Sequence, residues 1–142
     1  MFILDTNVIS ELRKAKAGKA DANVTAWAAR IPPSAFFVSA ITILELELGV
    51  LLTERRDAAQ GAILRNWLDG HVLAAFENRI LPVNLAVARN CARLHVPNPC
   101  AERDALIAAT ALTHAMTVVT RNVKDFAGLG VAIRDRLQRA AK

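Results

Sequence analysis

FILDTN, residues 2–7, decides how the rest of the chain is read. Phe2, Ile3 and Leu4 form a short apolar run, and Asp5, Thr6 and Asn7 stop it with helix-capping chemistry. That is the pattern of a buried strand running straight into a helix. The helix starts over residues 8–13, and the polar stretch 14–22 (KAKAGKADA) reads as a surface loop. Asn23 then caps a helix through Val24, Trp27 and Ile31, which Pro32 and Pro33 end. Residues 35–38 repeat the motif as a second strand, with Ser39 as N-cap of a helix over residues 40–53. Its apolar positions Ile41, Leu44, Leu48, Leu51 and Leu52 follow a helical period. A helical stretch over residues 57–78 follows. Its core candidates are Leu64, Trp67, Leu68, Val72, Leu73 and Phe76, while Gly61 and Gly70 interrupt its pattern.

Farther on, residues 80–83 form a short strand, and Pro82 marks it as an edge or strand end. Residues 85–94 are helical and 97–100 form a turn. Residues 104–115 make an almost wholly apolar helix, which must be buried on most sides. Thr117 to Thr120 is the clearest strand, and Arg121-Asn122 is turn chemistry. Residues 128–133 suggest a last strand and 134–140 a C-terminal helix. Short apolar strands alternating with helices predict an α/β domain with a mainly parallel sheet.

Length and composition bound what such a domain can be. At 142 residues and 15.4 kDa the expectation is one domain over residues 1–142. A hydrophobic fraction of 54% with 22% charged residues excludes a disordered chain. The net charge is +5, and the basic side chains divide into 13 Arg and 5 Lys. Arg is the better phosphate fork, so a polyanionic partner fits, as does a merely soluble basic protein. Cys91 and Cys100 make neither a disulfide framework nor a zinc site, and reduced thiols in the cytoplasm are expected. The N-terminus lacks the pattern of a secretory leader, and no apolar run is long enough to predict a membrane span.

The question is then why a basic chain sets acids in apolar surroundings. Asp5 ends the first strand, Asp125 lies just beyond the strand ending at Thr120, and Glu45 lies on the helix after the second strand. Asp104 opens the apolar helix. In open α/β sheets, ligands bind outside the carboxyl ends of the strands, where these acids can meet. Each has an ordinary reading too. Asp5 and Thr6 are good caps, Asp104 suits a helix N-terminus, and Asp125 suits a turn. Glu45 is harder to explain away, because it shares a helix face with Ile41, Leu48 and Leu52, while Glu47 turns about 200° away toward solvent. A carboxylate inside an apolar stripe needs an Arg, a protonated neighbour or a metal. Four converging carboxylates repel one another, and a divalent cation resolves the conflict. An all-oxygen donor set selects Mg²⁺ or Mn²⁺ over zinc.

Other chemistries fail on the text. His71, His95 and His114 have no metal-ligand spacing and read as surface or helix-end residues. There is no GxGxxG, no GxxxxGK[ST] and no GxSxG. Asp5 is followed two residues later by Asn7, against an Asp-x-Asp phosphatase pair. Neither cysteine has an activating His in its sequence context, which leaves pairing in space open.

Three segments carry a resemblance: LDTNVISEL at residues 4–12, VSAITILELELGV at 38–50, and RDALIAATAL followed by VVTRNVKDF within 103–126. In this order they are similar to the PIN-domain ribonucleases, most of all the VapC-type toxins of bacterial toxin–antitoxin modules. The resemblance implies a parallel three-layer α/β/α sandwich and a Mg²⁺-dependent endoribonuclease in the cytoplasm. It implies a homodimer held inactive by a VapB-like antitoxin, whose C-terminal segment covers the active-site groove. By the resemblance Asp5 is the first acid. Glu45 is the second, in the pattern T-x-x-E-L-x-x-G formed by Thr42, Glu45, Leu46 and Gly49, and Asp104 is the third. Thr120, Asn122 and Asp125 match the last segment, with Asp125 as fourth acid and Asn122 as an alternative ligand. Asp5 and Asp104 would bind metal directly, and Glu45 and Asp125 through water or a second ion. Thr6 matches the hydroxyl after the first acid and would support a metal-bound water, with Asn7 as a further supporting residue.

Basic side chains near these acids are candidates for RNA phosphates: Arg13, Lys14, Lys16 and Lys19 after the Asp5 turn, and Arg121 and Lys124 beside Asp125. For the lysine run a solvated loop is the competing reading. With no Tyr in the chain, RNA shape and backbone are the expected basis of recognition. Two rivals stand beside this reading: a catalytically silent PIN-like binding module, and a related nuclease acting on DNA.

Overall fold

The computed structural model describes residues 1–14 and 22–135. Strand β1, Phe2–Leu4, is central and carries the alternation of a strand covered on both faces. Leu4 points into one apolar cluster with Val8, Ile9, Trp27, Leu46, Val50, Leu68 and Val72. Ile3 points into the other, with Ile107, Ala108, Ala111, Met116 and Phe126. The same alternation divides Val119 from Val118 on β4, Thr117–Thr120. Successive strand side chains face opposite ways, so two strands of this pattern require helices on both faces. The result is a three-layer α/β/α sandwich.

The sheet has five parallel strands in the order β3-β2-β1-β4-β5, with β2 at Phe36–Ser39, β3 at Ile80–Leu81 and β5 at Ile133–Asp135. Phe2 pairs in register with Phe36 on one side and Thr117 on the other. The chain winds outward from β1 through β2 and β3, then returns to β4 on the opposite flank. The crevice between β1 and β4 is therefore a topological switch point. Strand β3 lies at an edge, as Pro82 suggested.

One layer holds α1 (Thr6–Arg13), α2 (Ala22–Ala29), α3 (Ala40–Arg56) and α4 (Ala58–Trp67). Trp27 packs edge-on against Phe2 and Phe36 at centroid separations of 5.2 and 5.4 Å, binding α2 to the strands. The helical path continues past α4 through a wide π-helical turn, Leu68–Val72, which contains Gly70, to α5 (Leu73–Ala75). Gly61 lets α4 pass close to α3: a Cβ there would lie 2.5 Å from the Glu54 Cα. The other layer holds α7 (Glu102–Thr113), α6 (Leu85–Leu94) packed against it, and the single turn α8 (Val123–Phe126). Ile107 is fully buried, so its truncation to Ala costs about 2–5 kcal/mol.

Several sequence expectations need correction. On α3 the leucines at 44, 48, 51 and 52 are exposed, and the buried face is Thr42, Leu46, Val50 and Thr53. The helix has two apolar faces, and the sheet takes the one punctuated by threonines. Glu45 therefore does not sit in the core stripe. Glu47 is not fully turned to solvent but half-buried, 2.6 Å from Arg65. Asn23 lies inside α2, which starts at Ala22. Gly128 and Gly130 adopt positive φ in a loop before β5, so that strand starts at Ile133. Residues 134 and 135 are thus strand, not helix, and the rest of the expected C-terminal helix lies outside the described residues, as do Lys16 and Lys19. Among the described residues no helix is long and apolar enough to cross a membrane.

Candidate active site

Asp5 sits where β1 turns into α1, buried at 6% exposure, with both carboxylate oxygens hydrogen-bonded. Its Oδ1 accepts from the Thr6 backbone N–H at 2.8 Å, so the capping reading is correct. Its Oδ2 accepts from Thr120 Oγ1 at 2.8 Å and from Asn7 Nδ2 at 3.2 Å. The Thr120 contact crosses the β1–β4 crevice, tying together residues 115 positions apart. The Asn7 side chain closes the same crevice from above, since its Oδ1 accepts from the Arg121 backbone N–H at 3.2 Å. Thr120 Oγ1 also accepts from the Asn122 backbone N–H at 2.9 Å, which shapes the turn into α8. These bonds hold Asp5 in one orientation.

Glu45 reaches the same place from α3. Its Oε1 accepts from Thr6 Oγ1 at 2.8 Å, and its Oε2 lies 3.8 Å from Arg103 Nη1. The partner demanded of Glu45 thus exists, though the contact with Arg103 is long and the Arg is half exposed. Such a pair contributes about 0–1 kcal/mol. Asp104 lies in the first turn of α7 and Asp125 on the exposed turn α8.

The electrostatics show that the four acids share one field. Burial pushes the Asp5 carboxyl up from its ordinary value, and the charges of Glu45 and Asp125 push the same way. Its hydrogen bonds from Thr120 and Thr6 oppose the shift. Asp104 is pushed up to about 6, by burial first and then by Asp5, Asp125 and Glu45. So all four sequence-predicted acids lie within electrostatic reach of one another, and hydrogen bonds from Thr6, Asn7 and Thr120 hold Asp5 and Glu45. Asn122 joins through its backbone, and its side chain is exposed. Of the two alternatives for a fourth ligand, Asp125 is the one whose charge is felt at both Asp5 and Asp104.

The donor set is oxygen only, and its carboxylates repel one another. This is the condition a hard divalent cation relieves, so the residues fit Mg²⁺ or Mn²⁺. A groove of about 250 Å³ leads away from Thr6 and Glu45 past Ser10 and Arg13 to Trp67. Arg13 lies over the Trp67 ring, 5.6 Å from its centroid.

One residue escaped the sequence reading. Glu11 on α1 is 4% exposed and accepts from Arg121 Nη1 at 2.6 Å, while Lys14 Nζ lies 3.4 Å from the same oxygen. Two of the basic side chains assigned to RNA are therefore held by a buried acid. Helix spacing places Glu11 one turn after Asn7, on the side facing β4, and that was the available signal. Lys124 is exposed.

The chain is similar over most of its length to known proteins. The family model described as PIN domain matches residues 2–131. The VapC ribonuclease Y4jK of Sinorhizobium fredii is 37% identical over 94% of this chain and 95% of its own length. Toxin FitB of Neisseria gonorrhoeae is 36% identical over 94% of this chain and 96% of its own. The crystal structure of FitAcB from Neisseria gonorrhoeae superposes with a TM-score of 0.86 at 34% identity, covering 96% of this chain and 98% of that one.

Proposed function

The chain belongs to the PIN-domain family, and from that membership and its acid pocket we propose that it is a Mg²⁺-dependent endoribonuclease, the toxin of a toxin–antitoxin pair. The observation that carries the proposal is the convergence of Asp5, Glu45, Asp104 and Asp125 at the carboxyl edge of a parallel sheet, with Asp104 pushed up to about 6. Such an assembly weakens the ion-free fold, a cost that a bound cation removes.

In this reading Asp5 and Asp104 ligate the ion directly, and Glu45 and Asp125 act through water or hold a second ion. A divalent cation bound there would supply a water nucleophile at neutral pH and would neutralise charge on the phosphoryl oxygens. The chain's own part is positioning. Thr120 and Asn7 fix Asp5, and Thr6 fixes Glu45. Arg13 at the groove and Lys124 beside Asp125 are the basic groups best placed for phosphates flanking the scissile bond. Arg121 and Lys14 serve first to neutralise Glu11.

The groove from Glu45 to Trp67 is open to a peptide, and the acids at its end suit a basic side chain. We assign it to the C-terminal segment of a VapB-like antitoxin, in keeping with the relative named as a toxin and the solved FitAcB assembly. A homodimer and a cytoplasmic location belong to the same reading.

The test uses the purified full chain, free of partner, with total RNA and with single- and double-stranded DNA, in Mg²⁺ or in EDTA. RNA cleavage in Mg²⁺ only is expected, with Asp5→Asn slower by at least about 10²–10³, the cost typical of removing one electrostatic stabiliser. Cleavage that persists in EDTA, or is undiminished in Asp5→Asn, contradicts the mechanism. Failure to cut any RNA returns the chain to a silent binding module, and DNA cleavage at an equal rate changes the substrate class.

A further inference from the structure

We propose that Cys91, His95 and Glu102 form a second cation site at the joint between α6 and α7, suited to a soft divalent ion such as Zn²⁺. Cys91 and His95 stand one turn apart at the end of α6, and Glu102 begins α7. Cys91 Sγ lies 3.8 Å from His95 Nε2 and 3.8 Å from Glu102 Oε1, and His95 Nε2 lies 3.3 Å from Glu102 Oε2. The sulfur contacts are long for hydrogen bonds. They are close to the edges of a tetrahedron around zinc, which are roughly 3.4–3.6 Å for bonds of about 2.0–2.3 Å. Among the described residues this is the one group of three whose single ligand atoms all lie within 4.8 Å of one another.

The chemistry of the donors points the same way. A thiolate, an imidazole and one carboxylate suit a borderline-soft ion and contrast with the all-oxygen acid pocket. Cys91 is buried, with Val87, Ala105 and Ala109 packed around it, whereas the Glu102 side chain is 70% exposed. An ion would have an entry path from solvent past the exposed Glu102 and an apolar wall behind it, with solvent as the source of a fourth ligand. Burial pushes the Cys91 thiol up, and the charge of Glu102 pushes it further, a state that a bound cation reverses.

Binding carries a defined proton balance. The Cys91 thiol releases its proton to solvent as the S–metal bond forms. The Cys100 backbone N–H donates to His95 Nδ1 at 3.1 Å, so the ion-free neutral ring carries its proton on Nε2. Ligation through Nε2 needs the ring proton on Nδ1 instead, so the Cys100 N–H gives up its bond there and the Nδ1–H can donate to Cys100 Sγ, 3.6 Å away. Occupancy is thus coupled to a turn of the backbone at Cys100. It also fastens the first turn of α7, two residues from Asp104 and next to Arg103, which faces Glu45.

The probe is Co²⁺ added to the reduced full chain. One thiolate-bound ion per chain is expected at this corner, beyond any held by the acid pocket, with thiolate-to-cobalt charge transfer and tetrahedral d–d absorption that Zn²⁺ abolishes and Mg²⁺ does not. The charge-transfer band should vanish in Cys91→Ser and persist in Cys100→Ser and Asp5→Asn. His95→Gln and Glu102→Gln should weaken binding at least about tenfold, the lower bound for losing even an indirect contact. Glu102→Gln alters an exposed side chain, so its effect is readable even if Cys91→Ser unfolds. Absence of the band overturns the proposal. So does a band that survives in Cys91→Ser, is lost in Asp5→Asn, or is indifferent to Glu102→Gln. None of these readouts depends on nuclease activity.

Discussion

The acid pocket at the carboxyl edge of the sheet and the Cys91–His95–Glu102 corner beside α7 both gather ligand-type side chains, in opposite ways. The pocket draws Asp5, Glu45, Asp104 and Asp125 from four elements spread over most of the chain, and fixes Asp5 with hydrogen bonds of 2.8–3.2 Å. The corner draws its three groups from two successive helices and leaves them 3.3–3.8 Å apart. Burial raises Asp104 in the first and Cys91 in the second, but the company differs. Like-charged carboxylates ask for a hard ion, and a thiol beside an imidazole asks for a soft one. Glu102 and Arg103, at the start of α7, lie between the two.

The contrast can be broken most directly at Asp104. Asp104→Asn should cut RNA cleavage by about 10²–10³ and yet stabilise the ion-free protein at neutral pH. The sign follows from proton uptake. Folded Asp104 keeps its proton up to about 6, while the unfolded chain releases it near 3.8. Between those values the folded state binds more protons, so stability falls as pH rises through the window. Mg²⁺ should accordingly raise the melting temperature more at about pH 7 than at about pH 5, and the Asn variant should lose that difference. Equal Mg²⁺ stabilisation at both pH values contradicts the account. The corner should behave otherwise: Glu102→Gln leaves the Mg²⁺ response intact.

A smaller effect is expected at Glu11, which holds the β4–α8 turn against α1 through Arg121. Glu11→Gln should cost about 1–3 kcal/mol in a denaturant melt, because the partly exposed Arg121 can turn to water. It should also slow cleavage without changing Co²⁺ binding at the corner. A change confined to the corner contradicts that assignment. Smallest of all, Asn84→Ala removes the side chain that accepts from the Val87 N–H at 3.0 Å and caps α6. It should cost about 1 kcal/mol and leave cleavage unchanged, since α6 carries only the corner.

The acid pocket was legible in the sequence because each acid marks the end or start of an element. Asp5 follows an apolar triplet, Asp104 precedes an apolar helix, and Asp125 follows the strand ending at Thr120. Parallel topology then brings such ends to one edge. Glu45 was found for the wrong reason, since its leucine-lined face is exposed and its reach depends on how α3 crosses the sheet. The corner was not legible. Cys91 and His95 are one helical turn apart, but Glu102 follows only after a loop whose path residue types do not specify. Glu11 likewise looked like an ordinary helix acid until β4 was beside it.

The most direct test of the central claim is anomalous diffraction from a crystal of the chain grown with Mn²⁺. The account predicts a peak about 2.0–2.2 Å from carboxylate oxygens of both Asp5 and Asp104, absent in Asp5→Asn crystals. A well-ordered pocket with no peak at saturating Mn²⁺, or a peak that excludes Asp5 and Asp104, contradicts it.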